Sequence, residues 1–230
     1  MKIIAHIKTD FPTKFGVPRQ SGIVASSTGR IVFEEEYRDP TALRGIEDFS
    51  HIWVLWEFSK AKTDGWSPTV RPPLLGGSTR MGVFATRSPF RPNNVGLSVL
   101  KLEGIEKTDR EGSVILVSGC DMIDGTPIFD IKPYLPYCDS IPEAKAGFTE
   151  GLEERKLTVD IPDDILNIIP QEKRQFLFDV LKGDPRPSYQ NDAARVYGFE
   201  ILDLEIKFRV EDKLLTVISA RNRSKNIEKD

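Results

Sequence analysis

Apolar positions in this chain alternate with polar ones far more often than they recur at helical spacing. Ile3 to Thr9 alternates apolar and polar and predicts a first strand, and Arg30 to Tyr37 (RIVFEEEY) predicts a second. His51 to Phe58 (HIWVLWEF) is apolar on both faces, aromatic and β-branched, as expected of a buried central strand. Between them, Asp39-Pro40 has the form of an N-cap with proline at the first helical position, predicting a short helix through Leu43, Ile46 and Phe49. Met81 to Ala85 and Val95 to Leu102 predict strands flanking a polar loop, and Val114 to Val117 predicts another strand. Asp124-Gly125 marks a turn between two extended runs. Beyond it, Ile128, Asp130 and Lys132 share one side of a strand, with Phe129 and Ile131 on the other.

After residue 140 the pattern changes. Glu143 to Glu154 is polar, as in a linker, and Leu157-Val159-Ile161 alternates as a strand would. Asp163 to Ile169 predicts a short helix closed by Pro170. Glu172 to Leu181 (EKRQFLFDVL) sets Phe176, Leu177, Val180 and Leu181 at helical spacing, with Gly183 and Pro185 as stop signals. Arg195 to Glu205 and Lys213 to Ser219 predict strands of a small terminal sheet, and the polar tail after Arg221 predicts disorder. The expected fold is mainly β: short strands in a barrel or curled sheet over 1–140, then a small α+β domain over 141–230.

Composition narrows the partners. A formal net charge of -3 leaves no global basic footprint, so a nucleic acid would need a local surface. One exists: from Lys60 to Lys101 the cations Lys60, Lys62, Arg71, Arg80, Arg87, Arg91 and Lys101 meet one acid, Asp64. Trp66, Phe84 and Phe90 are interleaved with them, which suits phosphates and stacked bases as well as a solvated face. No run is long and apolar enough to span a bilayer, and MKIIAHIKTDFP lacks a signal-peptide core and cleavage site, so a cytoplasmic protein is expected. Cys120 and Cys138 are then expected to be reduced, packed thiols. His6 and His51 have no metal-ligand spacing with the cysteines, so no metal site is expected.

The candidate chemistry lies in the loops. In Arg87 to Asn94 (RSPFRPNN), each proline fixes its own φ and pushes the preceding residue towards extended backbone, so Arg87 and Arg91 should project from a constrained loop towards a phosphate or carboxylate. Pro18-Arg19-Gln20 is a similar stiffened cation beside an amide, and its plainer interpretation is a simple turn. Asp121, Asp124 and Asp130 admit a metal or acid–base role, against hairpin chemistry and a solvated strand face. His51 is expected to be a hydrogen-bonded or capping residue rather than a catalyst. Asp184-Pro185-Arg186-Pro187, followed by Tyr189, repeats the arginine between prolines. Gly76-Gly77 and Gly82 form neither a Walker loop nor the spaced glycines of a Rossmann unit.

Five stretches together resemble one family: Val17 to Gln20, Phe49 to Trp53, Arg71-Pro72-Pro73, Met81 to Asn93 (MGVFATRSPFRPN) and Asp124 to Leu135 (DGTPIFDIKPYL). They are similar to the TsaA-like/TrmO proteins, tRNA (adenine(37)-N6)-methyltransferases, and the DPRPSY segment looks like the terminal domain of that family's bacterial branch. The resemblance implies a small β-barrel that binds S-adenosylmethionine outside the Rossmann class. It also implies a homodimer with the cofactor near the subunit interface. The implied reaction methylates N6 of N6-threonylcarbamoyladenosine at position 37, in the tRNA anticodon loop.

Carried over by motif, the implied cofactor contacts are Pro18, Arg19 and Gln20; Ser59 and Lys60; Arg87; Leu97; and the turn Asp124, Gly125, Thr126 and Pro127. Arg19 or Arg87 can pair with the cofactor carboxylate, and the turn can offer backbone groups to a polar edge. Arg71, Arg91, Arg186 and Tyr189 are the candidate RNA contacts. No residue declares itself a catalytic base. Two other readings stay open: a methyltransferase of another substrate on the same scaffold, and an RNA-binding module without catalysis.

Overall fold

The structure, a computed structural model, describes residues 1–61, 65–151, 156–186 and 192–222. Six strands close into an antiparallel barrel: β1 (Ala5–Thr9), β2 (Thr28–Phe33), β3 (His51–Glu57), β6 (Val95–Thr108), β7 (Gly112–Ser118) and β8 (Thr126–Pro133), paired in the order β1-β2-β7-β6-β3-β8. A two-strand ribbon of β4 (Thr69–Val70) and β5 (Met81–Gly82) stands beside it. Closure leaves no free sheet edge on the barrel. Its interior is filled by the inward-facing residues of the alternating strands, among them Ile7, Ile31, Ile52, Val54, Leu100, Ile115 and Ile128.

A second core lies in the C-terminal part. There β9 (Thr158–Asp160) runs parallel to β12 (Leu214–Asn222), which pairs antiparallel with β11 (Leu204–Glu211), and that in turn with β10 (Tyr197–Ile201). Helix α1 (Pro136–Asp139) follows the barrel, and α2 (Asp163–Leu166) and α3 (Gln171–Lys182) pack on the second sheet. Phe11 and Val24, both from the connection between β1 and β2, are buried in this second core rather than in the barrel.

Several expectations are corrected. The stretch after Asp39 is two 3-10 turns, Pro40–Leu43 and Ile46–Asp48, because Gly45 adopts a left-handed φ of 83° between them; the Asp39 cap itself forms, accepting from the Thr41 amide at 2.9 Å. Met81 to Ala85 is a two-residue strand followed by a 3-10 turn. In β8 a bulge pairs Trp56 with Ile128 but Leu55 with Asp130, so Phe129 is the extra residue and Ile131 swings onto the barrel core. The single strand expected over Arg195 to Glu205 is a hairpin. It turns at Leu202 and Asp203, whose φ values of 55° and 58° are ones that non-glycine residues rarely adopt. The second expected strand extends to Asn222, so Arg221 pairs with Glu205, and the tail beyond lies outside the described residues. Cys120 is a buried free thiol, but Cys138 is an exposed one.

One contact fixes how β3 meets β6. Trp56 lies opposite Gly96, and a Cβ on that glycine would sit 2.3 Å from the indole. Gly96→Ala should therefore lower stability by about 1–3 kcal/mol through overpacking, read as a shift of the urea unfolding midpoint. An unchanged midpoint would show that the indole has room to move.

Candidate active site

Because every barrel neighbour is antiparallel, the ends of β1, β3 and β7 and the starts of β2, β6 and β8 open on one rim. The sequence candidates near the rim converge on the irregular connection from β1 to β2. At its start Phe11 O accepts from the Asp124 amide at 2.8 Å, Thr9 N donates to Asp124 Oδ1 at 2.9 Å, and Gly125 N donates to Ile7 O at 2.9 Å. Further along, Lys14 Nζ donates to Lys60 O. Gln20 Oε1 accepts from Arg87 Nη1, while Gln20 Nε2 donates to Arg19 O. Gly22 N then donates to Gly119 O at 2.9 Å. Pro18-Arg19-Gln20, the Ser59–Ala61 turn, Arg87 and the Asp124 turn are thus linked through one segment.

The candidates differ in what they present. Arg19 and Arg87 are exposed, and among the described residues neither has a carboxylate ion-pair partner. The amides of Asp124, Gly125 and Thr126 already donate to Phe11, Ile7 and Ile123, so of the backbone groups expected to meet a polar edge the amides are engaged within the fold. Asp124 uses Oδ1 for the Thr9 amide, which leaves its second carboxylate oxygen as an acceptor. Thr126 and Pro127 are buried, and the Thr126 hydroxyl donates to Ile123 O at 2.6 Å. Leu97 stands apart on the outer barrel wall, 53% exposed and opposite Leu55.

The arginines of the proline loop split into two roles. Arg91 turns back on its own loop, donating to Thr86 O at 2.7 Å and Val83 O at 3.3 Å, with its guanidinium 5.8 Å from the Phe84 ring centroid. It braces the loop, and Asn94 adds a bond from Nδ2 to Pro89 O at 2.6 Å. Arg87 alone projects. Arg186, expected to contact RNA, is 7% exposed and donates through Nε and Nη2 to both oxygens of Asp184 at 2.8 and 2.9 Å. That bidentate pair commits it to the second core, so it is not available to a phosphate. Arg71 is exposed, and Tyr189 lies outside the described residues.

Asp121 is the rim residue that sequence reasoning weighed only as a generic acid. Its Oδ1 accepts from Ser98 Oγ at 2.7 Å, and Ser98 Oγ accepts from Trp56 Nε1 at 2.9 Å. Burial pushes its pKa up to about 6, which the Ser98 hydrogen bond and the positive charge of Arg87 only partly offset. The sequence signal was an acid within an apolar run, between the buried Cys120 and Met122. The other two acids weighed with it serve separate ends: Asp124 bonds Thr9, and Asp130 pairs with Lys132 at 2.8 Å. No group of three or more His, Cys, Asp or Glu among the described residues is placed to hold a metal ion. His51 Nδ1 lies 2.9 Å from Ser50 Oγ.

Residues 6–140 match the model of the tRNA-methyltransferase O N-terminal domain, and residues 154–223 match that of the TrmO C-terminal domain. The chain belongs to the TrmO family. It is 40% identical over 229 residues to the tRNA (adenine(37)-N6)-methyltransferase of Escherichia coli K12, covering 96% of this chain and 97% of that one. A putative S-adenosylmethionine-dependent methyltransferase of Pseudomonas aeruginosa is 35% identical over 210 residues, covering 88% and 89%. The crystal structure of TrmO from Pseudomonas aeruginosa superposes with a TM-score of 0.75 at 29% identity, covering 96% of this chain and 97% of that one.

Two guanidiniums without carboxylate ion-pair partners can pair with an anionic carboxylate, and the Asp124 carboxylate oxygen not engaged by Thr9 can accept from an amino donor.

Asp121 also sets a pH dependence. Its pKa of about 6 in the fold, against an ordinary 3.8, means the folded state holds the proton more tightly than the unfolded chain does. The contribution of this group to stability is therefore greatest below pH 4, at roughly 3 kcal/mol at most, is lost as pH rises to about 6, and stays absent above. Asp121→Asn should raise unfolding stability at pH 8 by about 1–2 kcal/mol, and the gain should vanish near pH 4. Urea unfolding at the two pH values checks this; a loss at pH 8 would mean that the carboxylate stabilises the fold.

Proposed function

We propose that the protein transfers the methyl group of S-adenosylmethionine to N6 of adenine 37 in tRNA, taking the base as N6-threonylcarbamoyladenosine. The observation that carries this reading is the junction of Arg87 with Gln20 and Arg19 on the same barrel rim as the Asp124 turn. Near full-length similarity to the Escherichia coli enzyme of that name supports it.

Bound at the rim, the cofactor supplies a methyl group already activated by its sulfonium. The chain's own part is to bind and orient. Arg87, held by Gln20, and Arg19 pair with a carboxylate; the Asp124 carboxylate oxygen not engaged by Thr9 accepts from an amino edge. The N6 lone pair of adenine is delocalised into the ring, so alignment contributes more than a strong base would.

The anticodon-loop base has to leave its stack to reach the rim. Arg71 and Arg80 are exposed beside Trp66 and Phe84, whose rings are 6.0 Å apart and tilted by 30°, with Phe84 71% exposed. We assign this patch to the flanking nucleotides, with cations on phosphates and rings on bases. Arg91 supports it indirectly by bracing Phe84.

Within this reading, the barrel domain over 1–140 carries the cofactor and the α+β domain over 141–230 shapes it. The protein works in the cytoplasm as a homodimer. The outward-facing Leu97, on a wall with the half-buried Leu55, Val99 and Phe129, supports a second copy there, which would bring Leu97 to the seat of its partner. No helix among the described residues is long and apolar enough to cross a membrane.

Incubation with methyl-labelled S-adenosylmethionine and threonylcarbamoylated tRNA should place label on N6 of the modified base. No transfer at saturating cofactor would overturn the reading. Arg87→Ala should weaken cofactor binding by roughly tenfold to a hundredfold in calorimetry, as for loss of a charge-assisted hydrogen bond. Arg91→Ala should instead lower the melting temperature.

A further inference from the structure

We propose that Lys14 is a specificity residue for the modified base: its ammonium takes the carboxylate of the threonylcarbamoyl group, while Arg87 and Arg19 hold that of the cofactor. The proposal rests on the function proposed above.

The two reactants set the need. S-adenosylmethionine carries one carboxylate, and the threonylcarbamoyl substituent of adenine 37 carries another. Transfer to N6 brings both anions into one site, where like charges repel unless each has its own cation. The arginines at the Gln20 junction account for one of them. The second needs a cation that no carboxylate of the protein has taken and whose place is fixed before the RNA arrives.

Lys14 meets both conditions. It is exposed, forms no ion pair with a described residue, and donates from Nζ to Lys60 O. An ammonium has three N–H donors and the carbonyl takes one, so two remain for an incoming anion. The main chain is fixed on either side. Three residues earlier, Phe11 O accepts from the Asp124 amide at 2.8 Å, and directly after Lys14 the Phe15 ring packs on Phe199 with centroids 5.8 Å apart. A lysine held at both its backbone and its head group loses little further freedom on binding. The same bond places the charge. Lys60 lies in the 3-10 turn Ser59–Ala61 that follows β3, and Pro18-Arg19-Gln20 comes shortly after Lys14 in the connection. Lys14 thus bridges two stretches implied as cofactor contacts. The acids near it are engaged elsewhere: Asp10 pairs with Lys173 at 2.6 Å, and Asp124 accepts from Thr9 N. Arg71 and Arg80 sit at the ends of the β4–β5 ribbon, with the rings assigned to flanking nucleotides.

The test compares two anticodon stem-loops that differ in one group. One carries N6-threonylcarbamoyladenosine at position 37; in the other its carboxylate is a neutral carboxamide. With the full chain and saturating S-adenosylmethionine, kcat/KM should favour the carboxylate by roughly tenfold to a hundredfold, as for a charge-assisted hydrogen bond. Lys14→Gln should remove most of that preference, Lys14→Arg should keep it because the charge remains, and so should Lys60→Gln. A lysine that only ties the connection to β3, or that meets an RNA phosphate, would affect both stem-loops equally and leave the ratio as it was. An unchanged ratio in Lys14→Gln therefore overturns the proposal, and so does a wild type that treats the two RNAs alike or a preference lost in Lys60→Gln instead. Wild-type protein that methylates neither RNA overturns the proposed function, and the Kd values of the two stem-loops by fluorescence anisotropy then decide on Lys14 through the same ratio. Should Lys14→Gln fail to fold, Lys14→Met gives the same comparison.

Discussion

Aromatic packing between the β1–β2 connection and the C-terminal core is the constraint on which the rest depends. Phe11 meets Phe176 edge-on with ring centroids 5.3 Å apart, and Phe15 meets Phe199 at 5.8 Å. Gly16 passes so close to Phe199 that a Cβ would lie 2.7 Å from the ring, in a backbone with φ of 91° that glycine adopts freely. The connection that gathers Gln20, Arg87, Lys60 and Asp124 is therefore not a free loop. It is pinned on one side by the second core and on the other by hydrogen bonds to the barrel rim. Lys173 of α3 adds an ion pair to Asp10 at 2.6 Å, and Ser26 bonds Asp179 of the same helix. The C-terminal domain thus acts on the site through the shape of a segment that belongs to the barrel.

That arrangement explains how a barrel of short strands can present a preorganised ligand seat without a Rossmann unit. In doubly wound folds a glycine-rich turn and a helix N-terminus receive the ligand's phosphates. Here the rim offers guanidiniums and a carboxylate oxygen of Asp124. The turn amides that might have served as donors are consumed in holding Asp124 against β1. Rigidity comes from those bonds, and charge comes from side chains that the bonds leave exposed. The division between Arg91 and Arg87 follows the same logic: one guanidinium closes its own loop so that the other can project from it.

Much of this was legible in the amino-acid pattern. Alternation marked most barrel strands, helical spacing marked α3, and the proline-arginine loops pointed to the rim. What escaped depended on backbone states that composition does not signal. The β10–β11 hairpin turns on two non-glycine residues with positive φ, and the bulge at Phe129 reverses which side chains of β8 face inward. Arg186 and Arg91 looked like Arg87 in sequence, each set among prolines. Burial beside Asp184 and a turn back onto Thr86 separate them in space.

The sequence alone determined the class of elements and which loops carry cations, because periodicity and proline act locally. It also carried the family, through motifs long enough to be distinctive. Only the tertiary structure decided which cations are free, that the amides of the Asp124 turn are spent within the fold, and that Asp121 joins Ser98 and, through it, Trp56. Those properties arise from burial and from partners far apart along the chain. The desolvation of a carboxylate and the occupancy of a donor are set by what folding brings next to them.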